Sequence, residues 1–248
     1  MDGERSGTLP RQSASIRMLT VAMAAYNEEA AIERVVLEHV DVLNRIGVVV
    51  PEWEIVCVDD GSKDRTPQIL CGLQARTPRL RVIRQENTGI FGAFTRAYQE
   101  ARGSHIFVTG SDGQWPAENL EVMLPFLLSG AAVVVGVRTN RREVYSPTRR
   151  VVSALFNRLP LLLFGVRVED AGSTKLGIRE VFEYDLISSS PFFEAERLIL
   201  AYRHGLRVEL VPIRFLARSG GRAAGVSLKN VSSSVRDLAR CLMAYGFR

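Results

Sequence analysis

Four times in the first 130 residues, a short apolar run stops at a polar cluster and gives way to a segment with helical spacing. Met18 to Ala24 is followed by Glu28 to Leu43, whose apolar residues fall at Ile32, Val35, Val36, Val40 and Leu43. Trp53 to Val58 precedes a helix from Thr66-Pro67 to about Arg76, with Thr66 read as the N-cap and Pro67 as the first helical position. Leu80 to Ile83 precedes Gly89 to Ala101, His105 to Thr109 precedes Ala117 to Leu128, and Ala131 to Val137 is a fifth run. Runs this short and β-branched read as buried strands, and the intervening 3.6-residue period as helices. Strands joined through helices pair in parallel, so the expected fold class is α/β, a mostly parallel sheet with helices on both faces.

Beyond Arg138 the pattern loosens into an Arg-rich loop, a helix over Pro147 to Leu163, and Asp170 to Ile178, read as an edge strand. Phe193 to His204 reads as a helix, Leu206 to Val211 as a last strand, and Arg214 to Gly225 as a Gly- and Arg-rich loop. Leu228, Val231, Val235, Leu238, Leu242 and Tyr245 then form one continuous helical stripe, with Lys229, Arg236 and Arg240 on roughly the other face. Such a helix fits a membrane interface or a docking position on its own domain. The expected division is a disordered tail over 1–17, a main domain over 18–217, and a basic loop with an amphipathic helix over 218–248.

With 248 residues, 46% of them hydrophobic, the chain can bury a sizeable core. No stretch reaches the roughly 18 apolar residues that cross a bilayer, and the polar start lacks the apolar segment of a signal peptide. Cys57, Cys71 and Cys241 are too scattered for a disulfide framework or a zinc site. These features point to a cytoplasmic protein, peripheral on the membrane where it meets lipid. The net charge of +5 is modest, but Arg138, Arg141, Arg142, Arg149, Arg150, Arg214, Arg218 and Arg222 cluster in groups that suit phosphate-bearing partners or an anionic membrane surface. Nucleic acid is a weaker fit, because these stretches lack the aromatic interleaving that stacked bases need.

Ligands of open α/β sheets bind outside the carboxyl ends of the strands. Four strand ends here offer polar groups to one crevice: Tyr26-Asn27-Glu28, Asp59-Asp60, Asn87-Thr88-Gly89 and Asp112-Gly113-Gln114. Carboxylates at the first two can accept from a base N–H and from ribose hydroxyls. Gly61 and Gly89 permit close backbone approach, and Asp112 with Gln114 can offer oxygens to a hard divalent cation bridging a diphosphate.

Together, Ala25-Tyr26-Asn27-Glu28-Glu29, Val58-Asp59-Asp60-Gly61-Ser62-Lys63-Asp64, Asn87-Thr88-Gly89 and Asp112-Gly113-Gln114-Trp115-Pro116 resemble glycosyltransferase family 2, and within it the dolichyl- and polyprenyl-phosphate sugar synthases. The resemblance implies a GT-A (Rossmann-like) fold over about Val21 to Gly225, a UDP- or GDP-sugar donor, inversion at the anomeric carbon, and Mg²⁺ or Mn²⁺. Carried onto this chain, it places Ala25, Tyr26, Glu28, Asp59, Asp60, Asn87, Gly89 and Ser111 at the nucleotide sugar and Asp112 and Gln114 at the metal and diphosphate. Arg138, Lys175 and Arg222 would be further donor contacts. Asp112, Asp170, Glu196 and Arg218 would be the catalytic set, with Glu194 a rival to Glu196, and Arg218, Gly221 and Arg222 would form a basic acceptor loop.

Two positions depart from the family. The metal motif Asp-x-Asp has Gly110 in its first place, and the Pro that usually opens the first motif is Ala24. Losing a carboxylate lowers the charge that holds a hard cation. A metal held by Asp112, Gln114 and the diphosphate, its replacement by Lys175, Arg218 and Arg222, and binding without turnover are all compatible with that loss. The acceptor also stays open. A lipid phosphate is ionised near neutral pH and needs no general base; a hydroxyl of a soluble sugar or natural product needs one, with Asp170, Glu194 and Glu196 the choices.

Overall fold

The computed structural model describes residues 16–140, 147–217 and 228–246. Among them a seven-stranded sheet runs in the order β3-β2-β1-β4-β6-β5-β7. Its strands are β1 (Met18–Ala25), β2 (Glu52–Asp59), β3 (Leu80–Arg84), β4 (His105–Gly110), β5 (Val133–Arg138), β6 (Lys175–Ile178) and β7 (Val208–Ile213). The helices are α1 (Ile32–Arg45), α2 (Thr66–Arg76), α3 (Gly89–Glu100), α4 (Asn119–Leu128), α5 (Pro147–Phe164), the short α6 (Arg179–Phe182), α7 (Phe193–Arg203) and α8 (Leu228–Tyr245), with a 3₁₀ turn at Ile46–Val48. β1, β2, β3 and β4 are parallel, with Ala25 beside Asp59 and Ala24 beside Gly110, so the polar clusters that end them come to one edge of the sheet.

Core formation follows from the strand composition. Val21, Met23, Ile55, Cys57 and Phe107 pack on one face under α1, α2 and α4. Ala22, Val56, Val58, Ile106 and Val108 pack on the other under α3. Burial on both faces is what makes these strands read as unbroken apolar runs. Ile16, two residues before β1, is already buried in this core. His105, buried at the start of β4, has its pKa lowered by that burial.

Three expectations shift. The first helix starts at Ile32, because Glu28 to Ala31 form a turn that belongs to the site rather than to the helix. The segment Asp170 to Ile178 is no edge strand: only Lys175–Ile178 is extended, and it lies inside the sheet, antiparallel to both β4 and β5. That reversal brings Lys175 to the carboxyl ends of the parallel strands. The last strand is Val208–Ile213, two residues later than expected, because Gly205 at φ +69 turns the chain out of α7.

Helix α8 packs on a third apolar cluster, with Leu238 and Cys241 buried against α7 and β5 residues. Asp237 accepts the backbone N–H groups of Ser189 and Ser190 at 3.0 and 2.9 Å, and Tyr245 donates its hydroxyl to Glu196 at 2.6 Å. Val235 and Met243 remain exposed. The C-terminal half of the apolar stripe therefore covers the protein's own loop at 187–190. No described helix is long and apolar enough to cross a membrane.

Candidate active site

The carboxyl ends of β1 and β4, the start of β6 and the N-terminal turns of α3 and α7 enclose a cavity of about 520 Å³. Ala25, Tyr26, Glu28, Asp60, Asn87, Gly89, Ser111, Asp112 and Lys175 line it, joined by Trp115 and Glu194. Nine of the residues singled out from the four strand-end motifs and the β6 segment thus meet in one place. The geometry also separates those that face the cavity from those that build its walls.

At the end of β1, Asn27 sits at φ 55, a left-handed conformation that Asn tolerates. Its N–H donates to Ser62 Oγ and its Oδ1 accepts the N–H of Lys63. The Glu28 N–H donates to Thr66 Oγ1 at 2.8 Å, so Thr66 ties the first motif to α2 rather than capping that helix. Asp64 takes the Thr66 N–H instead. Burial opposes the charge on Asp64, but hydrogen bonds from Thr66 and Glu29 win and hold its pKa below the usual carboxylate range.

Asp59 and Asp60 lie side by side in sequence and do different work. Asp59 is fully buried beneath the cavity, outside its lining; Oδ1 accepts the Ser62 N–H, and Oδ2 lies 3.4 Å from Arg84 Nε without a hydrogen bond. Asp60 reaches the cavity, but its carboxylate is taken up by the next motif. Oδ1 accepts from Gln85 Nε2, the Thr88 N–H and the Thr88 hydroxyl, and Oδ2 accepts the Gly89 N–H at 2.9 Å. Asn87 donates its amide to the Asp60 carbonyl. An acid bonded to the first N–H groups of α3 stabilises that helix start, so Asp60 and Asn87 act as the brace of the second and third motifs. Gly61 at φ +75 permits the approach, since a Cβ there would lie 3.0 Å from the Asn87 nitrogen.

In the fourth motif, Ser111 Oγ donates to the Ala24 carbonyl at 2.7 Å, and Asp112 Oδ1 accepts the Gln114 N–H at 3.0 Å in an Asx turn. Gln114 is absent from the cavity lining. Its side-chain amide donates to the Leu216 carbonyl at 3.3 Å, and its own carbonyl accepts the Leu216 N–H. Among the described residues no group of three or more His, Cys, Asp or Glu is placed to hold a metal ion. A single carboxylate beside an open diphosphate-sized space still fits Mg²⁺ or Mn²⁺, which bind through one or two carboxylates plus substrate phosphates.

Arg138 and Asp170 find each other. The Arg138 guanidinium meets the Asp170 carboxylate in a forked pair, reinforced by the Arg138 N–H to Oδ2 at 2.9 Å, and both side chains are buried. The guanidinium lies over Trp115 and Phe215, 5.1 and 5.0 Å from their ring centres. Asp170 itself adopts φ 53. The structure brings neither residue to the cavity lining; together they clamp Trp115.

Lys175 and Glu194, both in the cavity lining, belong to a buried charge cluster. Lys175 Nζ lies 2.8 Å from Glu194 Oε2, off the hydrogen-bonding direction, and also meets the carbonyls of Ala171 and Ser173. Tyr98 donates its hydroxyl to Glu194 Oε1 at 3.0 Å, and Arg197 Nε stands 3.8 Å from Oε2. Burial acts to raise the Glu194 pKa, but Lys175, Arg197 and the Tyr98 hydroxyl outweigh it and leave the value low. Burial pulls Lys175 below an ordinary lysine despite Glu194. Glu196, by contrast, faces away: it accepts the N–H groups of Ile187 and Ser188, each at 2.8 Å, and the Tyr245 hydroxyl. The acid of α7 that reaches the cavity is therefore Glu194. Arg197, three residues on, was recoverable from helical spacing, whereas nothing local in the sequence marks Tyr98. Arg218, Gly221 and Arg222 lie outside the described residues.

Comparison with known proteins follows the same lines. The Glycosyl transferase family 2 model matches residues 20–185. A dolichyl-phosphate hexose transferase of Haloferax volcanii is 33% identical over 204 residues, 82% of this chain and 84% of that protein. An undecaprenyl-phosphate 4-deoxy-4-formamido-L-arabinose transferase of Pseudomonas paraeruginosa is 31% identical over 162 residues, 63% of this chain but 45% of that protein, so the match spans less than half of that relative. Among solved structures, glucosyl-3-phosphoglycerate synthase from Mycobacterium tuberculosis, in complex with Mn²⁺, UDP and phosphoglyceric acid, superposes with a TM-score of 0.64 at 21% identity. It covers 94% of this chain and 80% of that one, and shares the fold.

Proposed function

The chain belongs to glycosyltransferase family 2, and from that premise we propose that it moves a sugar from a UDP- or GDP-sugar to a polyprenyl or dolichyl phosphate with inversion at the anomeric carbon. One observation carries the acceptor class: each acid considered as a general base is bonded elsewhere. Asp170 is locked to Arg138, Glu196 holds the 187–188 loop and α8, and Glu194 is ion-paired with a lowered pKa. A useful base has a pKa near the working pH, and a carboxylate pushed the other way is poorly matched to a neutral hydroxyl. An acceptor phosphate, whose second pKa is about 6, attacks in its ionised form and leaves no proton to remove. The names of the dolichyl- and undecaprenyl-phosphate relatives support the same acceptor class.

In this reading Tyr26, Glu28 and the Asp60-braced loop receive the nucleoside, and Asp112 would hold Mg²⁺ or Mn²⁺, which when bound would supply charge neutralisation to the nucleoside diphosphate. Lys175, compensated by Glu194, sets a positive floor. Arg218 and Arg222 clamp the acceptor phosphate; Leu216, two residues before Arg218, is tied to Gln114 of the metal motif. The protein works at the cytoplasmic face as a peripheral enzyme in this account. The test is sugar transfer from a panel of UDP- and GDP-sugars to a short polyprenyl phosphate, against soluble sugar acceptors. Transfer to the lipid phosphate is expected; transfer only to a soluble hydroxyl compound overturns the acceptor class.

A further inference from the structure

Where the metal motif lacks its first carboxylate, the space is filled. A Cβ built on Gly110 would meet Trp115 Cδ1 at 3.1 Å, Asp112 Oδ1 at 3.3 Å and Trp115 Nε1 at 3.4 Å. The N–H edge of the indole thus covers the backbone of Gly110, next to the Asp112 carboxylate, and Gly110, Asp112 and Trp115 all line the cavity. The rest of the ring is held firmly: Phe215 lies 4.5 Å away centre to centre, and Arg138, fixed by Asp170, stacks over it. The ring so held places its Nε1–H beside Gly110 and Asp112 in the cavity lining, where an acceptor oxygen can meet it, because indole Nε1–H is donor only.

We infer that Trp115 is a donor-binding residue, its indole N–H donating to an anionic oxygen of the diphosphate where a carboxylate would have acted through the metal. This rests on the nucleotide-sugar reading of the cavity. The substitution reverses the polarity of the contact. A carboxylate at position 110 would attract a cation and repel phosphate, whereas an N–H attracts phosphate directly and needs no cation. The protein should therefore keep measurable affinity for a nucleoside diphosphate without metal. A side chain at position 110 would also have to displace the indole, since contacts of 3.1 to 3.4 Å are tighter than ordinary packing.

The test uses the full chain, UDP and GDP as probes, and uridine and guanosine as controls, by calorimetry in EDTA and in Mn²⁺. Trp115→Phe keeps an aromatic ring beside Phe215 and Arg138 and removes the pyrrole edge that carries the N–H. A hydrogen bond to a charged group corresponds to about a tenfold or greater loss in affinity, expected for the nucleoside diphosphate in EDTA and not for the nucleoside. Trp53 and Trp115 are the only tryptophans, so in a Trp53→Phe background a single indole ¹H–¹⁵N resonance reports on Trp115. It should move on adding the diphosphate and stay on adding the nucleoside. An unchanged resonance, unaltered Trp115→Phe affinity, or an equal loss for diphosphate and nucleoside overturns the inference while leaving the donor reading intact. Failure of the wild-type protein to bind either diphosphate, with or without Mn²⁺, overturns both.

Discussion

The two ends of the sheet each bury a glutamate among cations, and they do so differently. At the amino ends of the parallel strands, Glu54 accepts from the Thr20 hydroxyl at 2.9 Å, the Arg102 N–H at 2.7 Å and Arg81 at 3.1 Å. Arg81 goes on to the Glu100 carboxylate and carbonyl. Both Glu54 oxygens have hydrogen-bond partners, and Arg81 is about a quarter exposed, at 26%. At the carboxyl ends, Lys175, Glu194 and Arg197 are all nearly inaccessible, and Glu194 Oε2 and Arg197 Nε have no hydrogen bond. A fully bonded buried acid holds a fold together. The ion-paired Glu194 and Lys175 instead line the cavity, where their charges face whatever enters it.

The contrast is sharpest under mutation. Glu194→Gln leaves Lys175 and Arg197 buried without their counter-charge, a change that costs about 3–5 kcal/mol when one partner of a buried pair is removed. Chemical denaturation should show that loss, and kcat/KM for transfer should fall with it. Lys175→Met combined with Glu194→Gln removes a cation together with the anion and should recover much of the stability, since neutral replacement of a buried pair is often tolerated, while transfer stays impaired. Recovery of full transfer in the double variant would reduce the cluster to a structural role like that of Glu54.

Glu54→Gln is the matching change at the other end, where partial exposure of Arg81 screens the charge left behind. A smaller loss of about 1–3 kcal/mol is expected, the range for leaving a buried donor unsatisfied, with kcat/KM close to wild type once the protein is folded. A large fall in kcat at full occupancy of the folded state would break the comparison.

The smallest effect is in pH. Because the folded Glu194 pKa lies below its ordinary 4.5, its ionised form contributes stability that is present above 4.5 and is lost as pH falls through the folded value. The Glu194→Gln penalty measured at pH 7 should therefore shrink below about pH 4.5. A penalty that stays constant down to pH 3 would mean that the charge of Glu194 is not what the cluster uses.

The two ends were not equally legible in the sequence. β1 to β5 and their polar ends follow from apolar runs and helical periods, which are local signals, and they sufficed to bring Tyr26, Glu28, Asp60, Asn87, Ser111 and Asp112 together. What escaped depends on the far partner. Glu194 and Glu196 are two residues apart on one helix, about 200° around its axis, so only the packing of α7 decides which one meets the cavity. Arg138 and Asp170 are separated by 32 positions and by a strand reversal that Asp170 to Ile178 does not announce. In the sequence Gly110 reads as a simple loss; only the fold shows the indole of Trp115 over it.

In the proposed function, the cavity at the carboxyl ends of the strands performs transfer and Asp112 is its metal-side acid. Steady-state transfer by Asp112→Ala in saturating Mn²⁺ and donor tests it most directly. A fall in kcat of at least about a hundredfold is expected, in the range seen when electrostatic stabilisation of developing charge is lost, with the thermal midpoint close to wild type. Turnover that remains at the wild-type rate would contradict it.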